Sequence, residues 1–362
     1  MQYRTLGNTG IEVSAVAFGC WAIVGGFNWG PQDESDSIAA LRAAREAGVT
    51  FFDTAEAYGD GYSEQLVGKA LGGVRDEIVI ASKVSPDHYA PDALRAACER
   101  SLRNLATDRI DLYQLHWPHR EIPVAETLGV LEQLKAEGKI RAFGVSNFGR
   151  PDLAGCLATR HRVASNQLAY SLLFRAIEFE ILPLCVQEGI SVLCYSPMLQ
   201  GLLTGKFASA DDVPLDRART RHFSREREHT RHGEPGAEAE TFAAIAEIRR
   251  IAEGLGEPMA RVALAWLLAQ KGVAAAEAAE ARLRPQTGER PARNTSSDAG
   301  GSPAAVIAGG RSPEQARANA QAADLVLPQD AIARLSAATD TLKRKLGPNA
   351  DMWQSESRIR QG

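Results

Sequence analysis

The 362-residue chain contains no C-x-x-C pair, and its five cysteines (Cys20, Cys98, Cys156, Cys185 and Cys194) are odd in number and widely spaced. That pattern excludes a paired disulfide framework and predicts free thiols in a reducing cytoplasm, each acting as a small buried apolar side chain. The opening MQYRTLGNTG lacks the apolar segment of a secretory leader. No run approaches the ~18 uncharged apolar residues that a membrane-spanning helix needs. Charge of neither sign dominates: 41 Lys and Arg face 45 Asp and Glu, a net charge of -4. A general nucleic-acid binder would carry a basic face, so nucleic acid is not an expected partner. Two nucleotide-binding turns are also missing. No G-x-G-x-x-G follows an early strand, which argues against an open doubly wound sheet. Gly201-Leu-Leu-Thr-Gly-Lys206-Phe207 has the wrong spacing for a phosphate-cradling P-loop and no Ser or Thr after its lysine.

What the chain does have is a repeating rhythm. The opening YRTLGNTGIEVS reads as a β-hairpin about a Gly-Asn-Thr-Gly turn. Eight short, continuously apolar strands follow: AVAFG, VTFFD, EIVIASK, IDLYQLH, IRAFGVS, RVASNQLAY, ISVLCYS and AVIAGG. Continuous apolar strands suit a sheet buried on both faces. Helical stretches lie between them, such as SDSIAALRAAREAG closed by Gly48 and SEQLVGKAL with Ser63 as its expected N-cap. Eight strand-helix units predict a closed (β/α)8 TIM barrel, with 1–362 as one barrel domain.

Two stretches break the rhythm. Residues 198–240 follow the seventh strand and contain ARTRHFSREREHTRHGEPG. Loops after barrel strands lie on the catalytic face, so this one is expected to reach a ligand. Its His222, His229 and His232 read as part of a solvated basic loop, with gripping of phosphate as a second role and no metal site. Residues 274–302 are rich in Ala, Arg, Pro, Gly and Ser and read as a flexible insertion before the eighth strand, on the opposite face.

Four polar residues sit where apolar strands stop. Asp53 ends VTFFD, Lys83 ends EIVIASK, His116 ends IDLYQLH, and Tyr58 lies a short loop beyond Asp53. Singly, these read as a turn cap, a surface charge, a core imidazole and a packing aromatic. Together they fall at the carboxyl ends of the neighbouring strands two, three and four. A phenol, an ammonium, a carboxylate and an imidazole at one barrel mouth can deliver a proton to a carbonyl oxygen.

FFDTAEAYGDGYSEQLVGKAL, Lys83 and LHWP resemble the aldo-keto reductase superfamily, as do GVSNF at 144–148, Asn166-Gln167, YSPMLQGLLTGKF at 195–207 and GGRSPEQARAN at 309–319. The last two blocks and LGPNADMW are more similar to its prokaryotic and potassium-channel-subunit branches. The resemblance implies NADPH-dependent reduction of an aldehyde or ketone. Hydride addition leaves negative charge on the carbonyl oxygen, where a donor must wait. The resemblance makes Tyr58 the general acid, Lys83 the group that tunes it, Asp53 the holder of Lys83, and His116 the orienting hydrogen-bond partner. It implies that Ser146, Asn147 and Gln167 bind the nicotinamide carboxamide and that Tyr195 stacks on the ring. It lays the pyrophosphate along Ser196 to Gly201 with Lys206 as charge partner. It puts the 2′-phosphate at Gly310, Arg311 and Ser312, and the adenine side at Gln315 and Asn319. Trp21 and Trp117 match its substrate-pocket aromatics, and Trp29 is a further candidate. The alternative is an NADPH-binding, redox-sensing regulatory protein with little turnover.

Overall fold

The computed structural model describes residues 1–26, 29–270 and 304–359, so the expected insertion at 274–302 lies outside the described residues. Strands β1 (Tyr3–Thr5) and β2 (Glu12–Ser14) form an antiparallel hairpin. Eight parallel strands then close a barrel: β3 (Val16–Gly19), β4 (Phe51–Asp53), β5 (Val79–Val84), β6 (Ile110–Leu115), β7 (Ile140–Ser146), β8 (Ser165–Ala169), β9 (Ser191–Tyr195) and β10 (Ala305–Gly309). β10 pairs with both β9 and β3, which completes the ring. This is the (β/α)8 barrel with an N-terminal hairpin that the strand-helix rhythm predicts.

The helices that follow β3 to β8 are α1 (Glu34–Glu46), α2 (Tyr62–Leu71), α3 (Pro91–Asn104), α4 (Val124–Ala136), α5 (Arg150–Leu157) and α6 (Ile181–Gln187). Two local details differ from expectation or extend it. α2 begins one residue before Ser63, with Gly61 at the N-cap in a left-handed conformation. The Ser63 hydroxyl instead donates to the Cys20 carbonyl and accepts from Thr54, so it ties α2 to the barrel top. The region after β9 holds α7 (Glu238–Gly254) and α8 (Met259–Ala269), which the strand-helix pattern left undivided. α8 buries Val262 to Leu268 without a break, so it presents no polar face from which a helical period could be read. α9 (Pro313–Ala320) follows β10, and α10 (Gln329–Leu346) packs against α7.

The barrel has two unlike ends. At the amino end the hairpin acts as a plug: Leu6, Ile11 and Val13 join the inward-facing Ala17, Phe51, Ala81, Leu112, Leu193 and Ile307 in one buried cluster. Gly7 is needed where the plug meets β8. It has φ +48°, and a Cβ there would lie 2.5 Å from the Ala164 carbonyl oxygen. At the carboxyl end the inward positions become polar. Asp53, Lys83, Gln114, Ser146 and Gln167 are all buried at or near the last residues of their strands. The register pairs Lys83 with Gln114 and Ser146 with Gln167, so these side chains share one rim.

The loop at 198–240 is not the solvated strand of charge that its composition suggests. His222 is fully buried, with Nε2 2.9 Å from the Leu173 carbonyl oxygen and Nδ1 3.0 Å from Thr220 Oγ1. His232 is also buried, its Nε2 against the Thr220 carbonyl. Arg221 supplies the reason: its guanidinium reaches the carbonyls of Leu346 and Asn349 and the carboxylate of Glu234, which draws the loop under the C-terminal segment. Among the described residues no group of three His, Cys, Asp or Glu side chains could hold a metal ion.

Burial pushes the His222 pKa down to about 4. The unfolded chain takes up a proton near the ordinary imidazole value of about 6.5, so stability is fully present above that pH. It falls as pH drops from about 6.5 to about 4, by up to ~1.4 kcal/mol per unit. Thermal unfolding of the native protein and of His222→Gln across this window should show their difference shrinking as the pH falls. A difference that stays constant would remove His222 from the acid response.

Candidate active site

At the carboxyl end of the barrel a cavity of about 850 Å³ opens, and Asp53, Tyr58 and His116 line it. Lys83 lies behind them with no exposed surface. Its ammonium is 2.7 Å from Asp53 Oδ2, 2.9 Å from the Thr54 carbonyl oxygen and 3.2 Å from the Tyr58 hydroxyl. Those three partners use all three of its N–H groups. Asp53 is 2% exposed. Its second oxygen accepts from Gln167 Nε2 at 2.8 Å and from Gln114 Nε2 at 3.4 Å. The four residues picked from strand ends therefore converge. The Tyr58 ring meets the His116 ring edge-on at 5.8 Å and stacks on Trp21 at 6.2 Å.

The electrostatics follow from this packing. Burial pushes the Tyr58 phenol up and outweighs the opposing pull of Lys83. Desolvation decides the net direction over the downward pull of Lys83, and Tyr58 stays protonated at neutral pH. Burial alone would lower Lys83; the charges of Asp53 and Tyr58 reverse that and hold it above its ordinary value. His116 is driven down to about 3 by burial and by the nearby Lys83 ammonium. Its imidazole is therefore neutral and acts as a hydrogen-bonding group.

The expected cofactor residues fall on the same cavity. Ser146, Asn147, Gln167, Tyr195, Ser196, Gly201, Lys206, Gly310, Arg311, Gln315 and Asn319 all line it. The Tyr195 hydroxyl donates to Asn147 Oδ1 at 2.9 Å, and Asn147 Nδ2 donates to Ser146 Oγ and to the His116 carbonyl, each at 3.1 Å. Asn147, Ser196, Leu199 and Gln200 all have left-handed φ angles between 42° and 63°. Such conformations in non-glycine residues gather where a site constrains the backbone. Ser312 does not line the cavity; its hydroxyl caps α9 by accepting from the Gln315 N–H at 3.3 Å. Arg311 donates Nε to Gln32 Oε1 at 2.7 Å and its remaining nitrogens to the Trp29 and Pro31 carbonyls. Gln315 accepts the Arg311 N–H, and Asn319 donates to the Gly309 carbonyl. The last loop is thus braced by its own side chains. Trp21, Trp29 and Trp117 line the cavity as well.

Several lining residues were not singled out from the sequence. Arg217, Arg219 and Arg231 come from the basic loop, and Trp353 and Arg358 come from the C-terminal segment. The basic run signalled that its loop would reach a ligand, but not which of its side chains would turn inward. Nothing in the tail distinguished Arg358.

The model of the Aldo/keto reductase family matches residues 15–340. The chain is similar to the aldo-keto reductase YhdN of Bacillus subtilis, 37% identical over 289 residues that cover 75% of this chain and 82% of that protein. It is also similar to the methylglyoxal reductase YeaE of Escherichia coli, 39% identical over 203 residues, 55% of this chain and 70% of that one. Among solved structures, an aldo-keto reductase from Klebsiella pneumoniae in complex with NADPH superposes with a TM-score of 0.66 at 29% identity, covering 99% of each chain.

Replacing Lys83 by Met would strand the buried Asp53 carboxylate without its cation. Breaking one side of a buried pair costs about 3–5 kcal/mol, so chemical denaturation of Lys83→Met should show a loss of that size. Lys83→Met combined with Asp53→Asn should recover part of it. A single variant as stable as the native chain would contradict the pairing.

Proposed function

The chain belongs to the aldo/keto reductase family, and we propose that it reduces an aldehyde or ketone with NADPH, Tyr58 protonating the carbonyl oxygen. One observation carries the reading. The Tyr58 hydroxyl lies 3.2 Å from Lys83 Nζ, on a cavity that His116 and the expected nicotinamide-binding residues also line.

The residues present fit a dinucleotide. Trp29 Nε1, Gln200 Oε1 and Arg217 Nε are buried beside the cavity without a hydrogen-bond partner among the described residues. Unpartnered buried polar atoms call for a polar ligand. Ser146, Asn147 and Gln167 offer the mixed donors and acceptors that a carboxamide needs, Tyr195 offers a flat apolar face, and Lys206 and Arg311 offer positive charge. NADPH, when bound, supplies the hydride.

The chain's own residues do the rest. Tyr58, protonated at neutral pH, waits as the acid and hands its proton to the oxygen as negative charge builds there. The phenolate left behind is stabilised by the Lys83 ammonium, which stays charged because Asp53 faces it. Neutral His116 gives a hydrogen bond that aims the carbonyl without competing for the proton. Trp21 and Trp117 provide apolar walls that keep water from the reacting centre. The substrate is a small carbonyl compound, and five buried thiols suit a reducing cytoplasm.

Tyr58→Phe should lower kcat by about 10²–10⁴-fold, the usual worth of a positioned acid, while NADPH binding followed by fluorescence stays near native. A variant with native turnover would remove Tyr58 from the role. Tight NADPH binding with no carbonyl turned over by the native protein would favour the sensor reading. The rate should show no inflection near pH 6.5, because His116 titrates near 3. It should fall only above the ordinary phenol range of about 10, since Tyr58 is raised. A rate that falls as pH rises through about 6.5 would instead make His116 the proton donor. Arg311→Ala should weaken NADPH by about 10–100-fold through a lost charge-assisted contact and leave NADH little changed. Equal losses for both cofactors would take the 2′-phosphate away from Arg311.

A further inference from the structure

We infer that the substrate carries an anionic head group, carboxylate or phosphate, and that Arg358 receives it. The inference rests on the carbonyl-reductase reading above and names the class of substrate for the same site.

Arg358 lies on the substrate side of the cavity. Its guanidinium carbon is 3.8 Å from the centre of the Trp117 ring, and Trp117 follows His116 directly in the chain. Stacking on an aromatic face fixes the plane of a guanidinium. Fully buried Asp351 fixes its direction, with Oδ2 2.7 Å from Nε and Oδ1 3.1 Å from Nη2. This pair leaves Nη1 unused, so one edge of the fork is held and the other remains to donate. Asp351 is itself positioned by the Trp353 N–H, which donates to Oδ1 at 3.0 Å. The whole segment is anchored through Arg221, which meets the Met352 and Asn349 carbonyls, each at 2.9 Å. A charged side chain held on two sides and opening on a reaction cavity is a preorganised anion receptor.

The charge balance of the cavity agrees. Its lining contains Lys206 and five arginines but one acid, Asp53, and Asp53 is already matched by Lys83. The phosphates of NADPH carry about four negative charges, counting the 2′-phosphate at roughly -1.5 to -2. With Arg358 set against Asp351, Lys206 and four arginines remain for those charges, so the cofactor does not require Arg358. Arg311 belongs to the loop after β10, whereas Arg358 stands beside the aromatic wall next to the proton donor. Asp351 steadies Arg358 without occupying all of it.

The test compares kcat/KM, with NADPH, for three aldehydes of equal chain length ending in a methyl, a carboxylate or a phosphate. Native enzyme, Arg358→Lys and Arg358→Met are measured side by side. The native enzyme should prefer one anionic aldehyde over the neutral one by tenfold or more, and the better of the two identifies the head group. In Arg358→Met that ratio should fall towards one, mainly through KM, with Arg358→Lys between. Raising the salt should erode the preference of the native enzyme and leave the ratio of Arg358→Met flat. A native ratio near one, or a ratio that survives in Arg358→Met, overturns the inference while leaving carbonyl reduction intact. Absence of turnover with all three aldehydes overturns the reduction reading, and this inference with it.

Discussion

The contact between Lys83 and Asp53 governs the top of this barrel. Two charges 2.7 Å apart, with 0% and 3% of their side chains exposed, are favourable only when nearly every donor and acceptor around them is satisfied. That condition is met by spending the neighbours. Thr54 and Tyr58 take the other two ammonium hydrogens, and Gln167 and Gln114 occupy the second carboxylate oxygen. The arrangement depends on strand register, since a slip of one residue would turn a side chain to the other face of the sheet. Acid-base chemistry and barrel pairing are therefore a single constraint.

From that pair the remaining protonation states follow. Burial, and after it the Lys83 ammonium, disfavours a positive charge on His116, so the imidazole is neutral. Burial keeps the phenol protonated until negative charge appears beside it. In the proposed reaction, a neutral imidazole and a protonated phenol at one oxygen would divide the work between aiming and proton transfer. The opposite end of the barrel contributes none of this. Leu6, Ile11 and Val13 close it with an apolar plug.

Much of this was legible in the sequence because strand ends are abrupt. VTFFD, EIVIASK and IDLYQLH each run from apolar to polar in one step, and the barrel rule turns three such ends into one rim. The cofactor residues were not read from strand ends; they came only from the resemblance of the blocks after strands five to eight to a known family. What could not be read depends on distant contacts. His222 and His232 sit in a run of charge, and nothing local says that Arg221 will pull that run under the C-terminal segment. α8 hides its helical period because, Arg261 apart, it is apolar along its whole length. Ser63 has the composition of an N-cap but is claimed by Cys20 and Thr54 across the barrel top. Arg358 lies some 240 residues beyond the tryptophan on which it stacks, and no spacing rule links the two.

The most direct measurement is a crystal structure of the protein with NADPH and an unreactive carbonyl analogue. The account predicts the nicotinamide ring against Tyr195, its carboxamide on Ser146, Asn147 or Gln167, and the analogue's oxygen within hydrogen-bonding distance of both Tyr58 and His116. A nicotinamide bound elsewhere, or a carbonyl oxygen that Tyr58 does not reach, would contradict it.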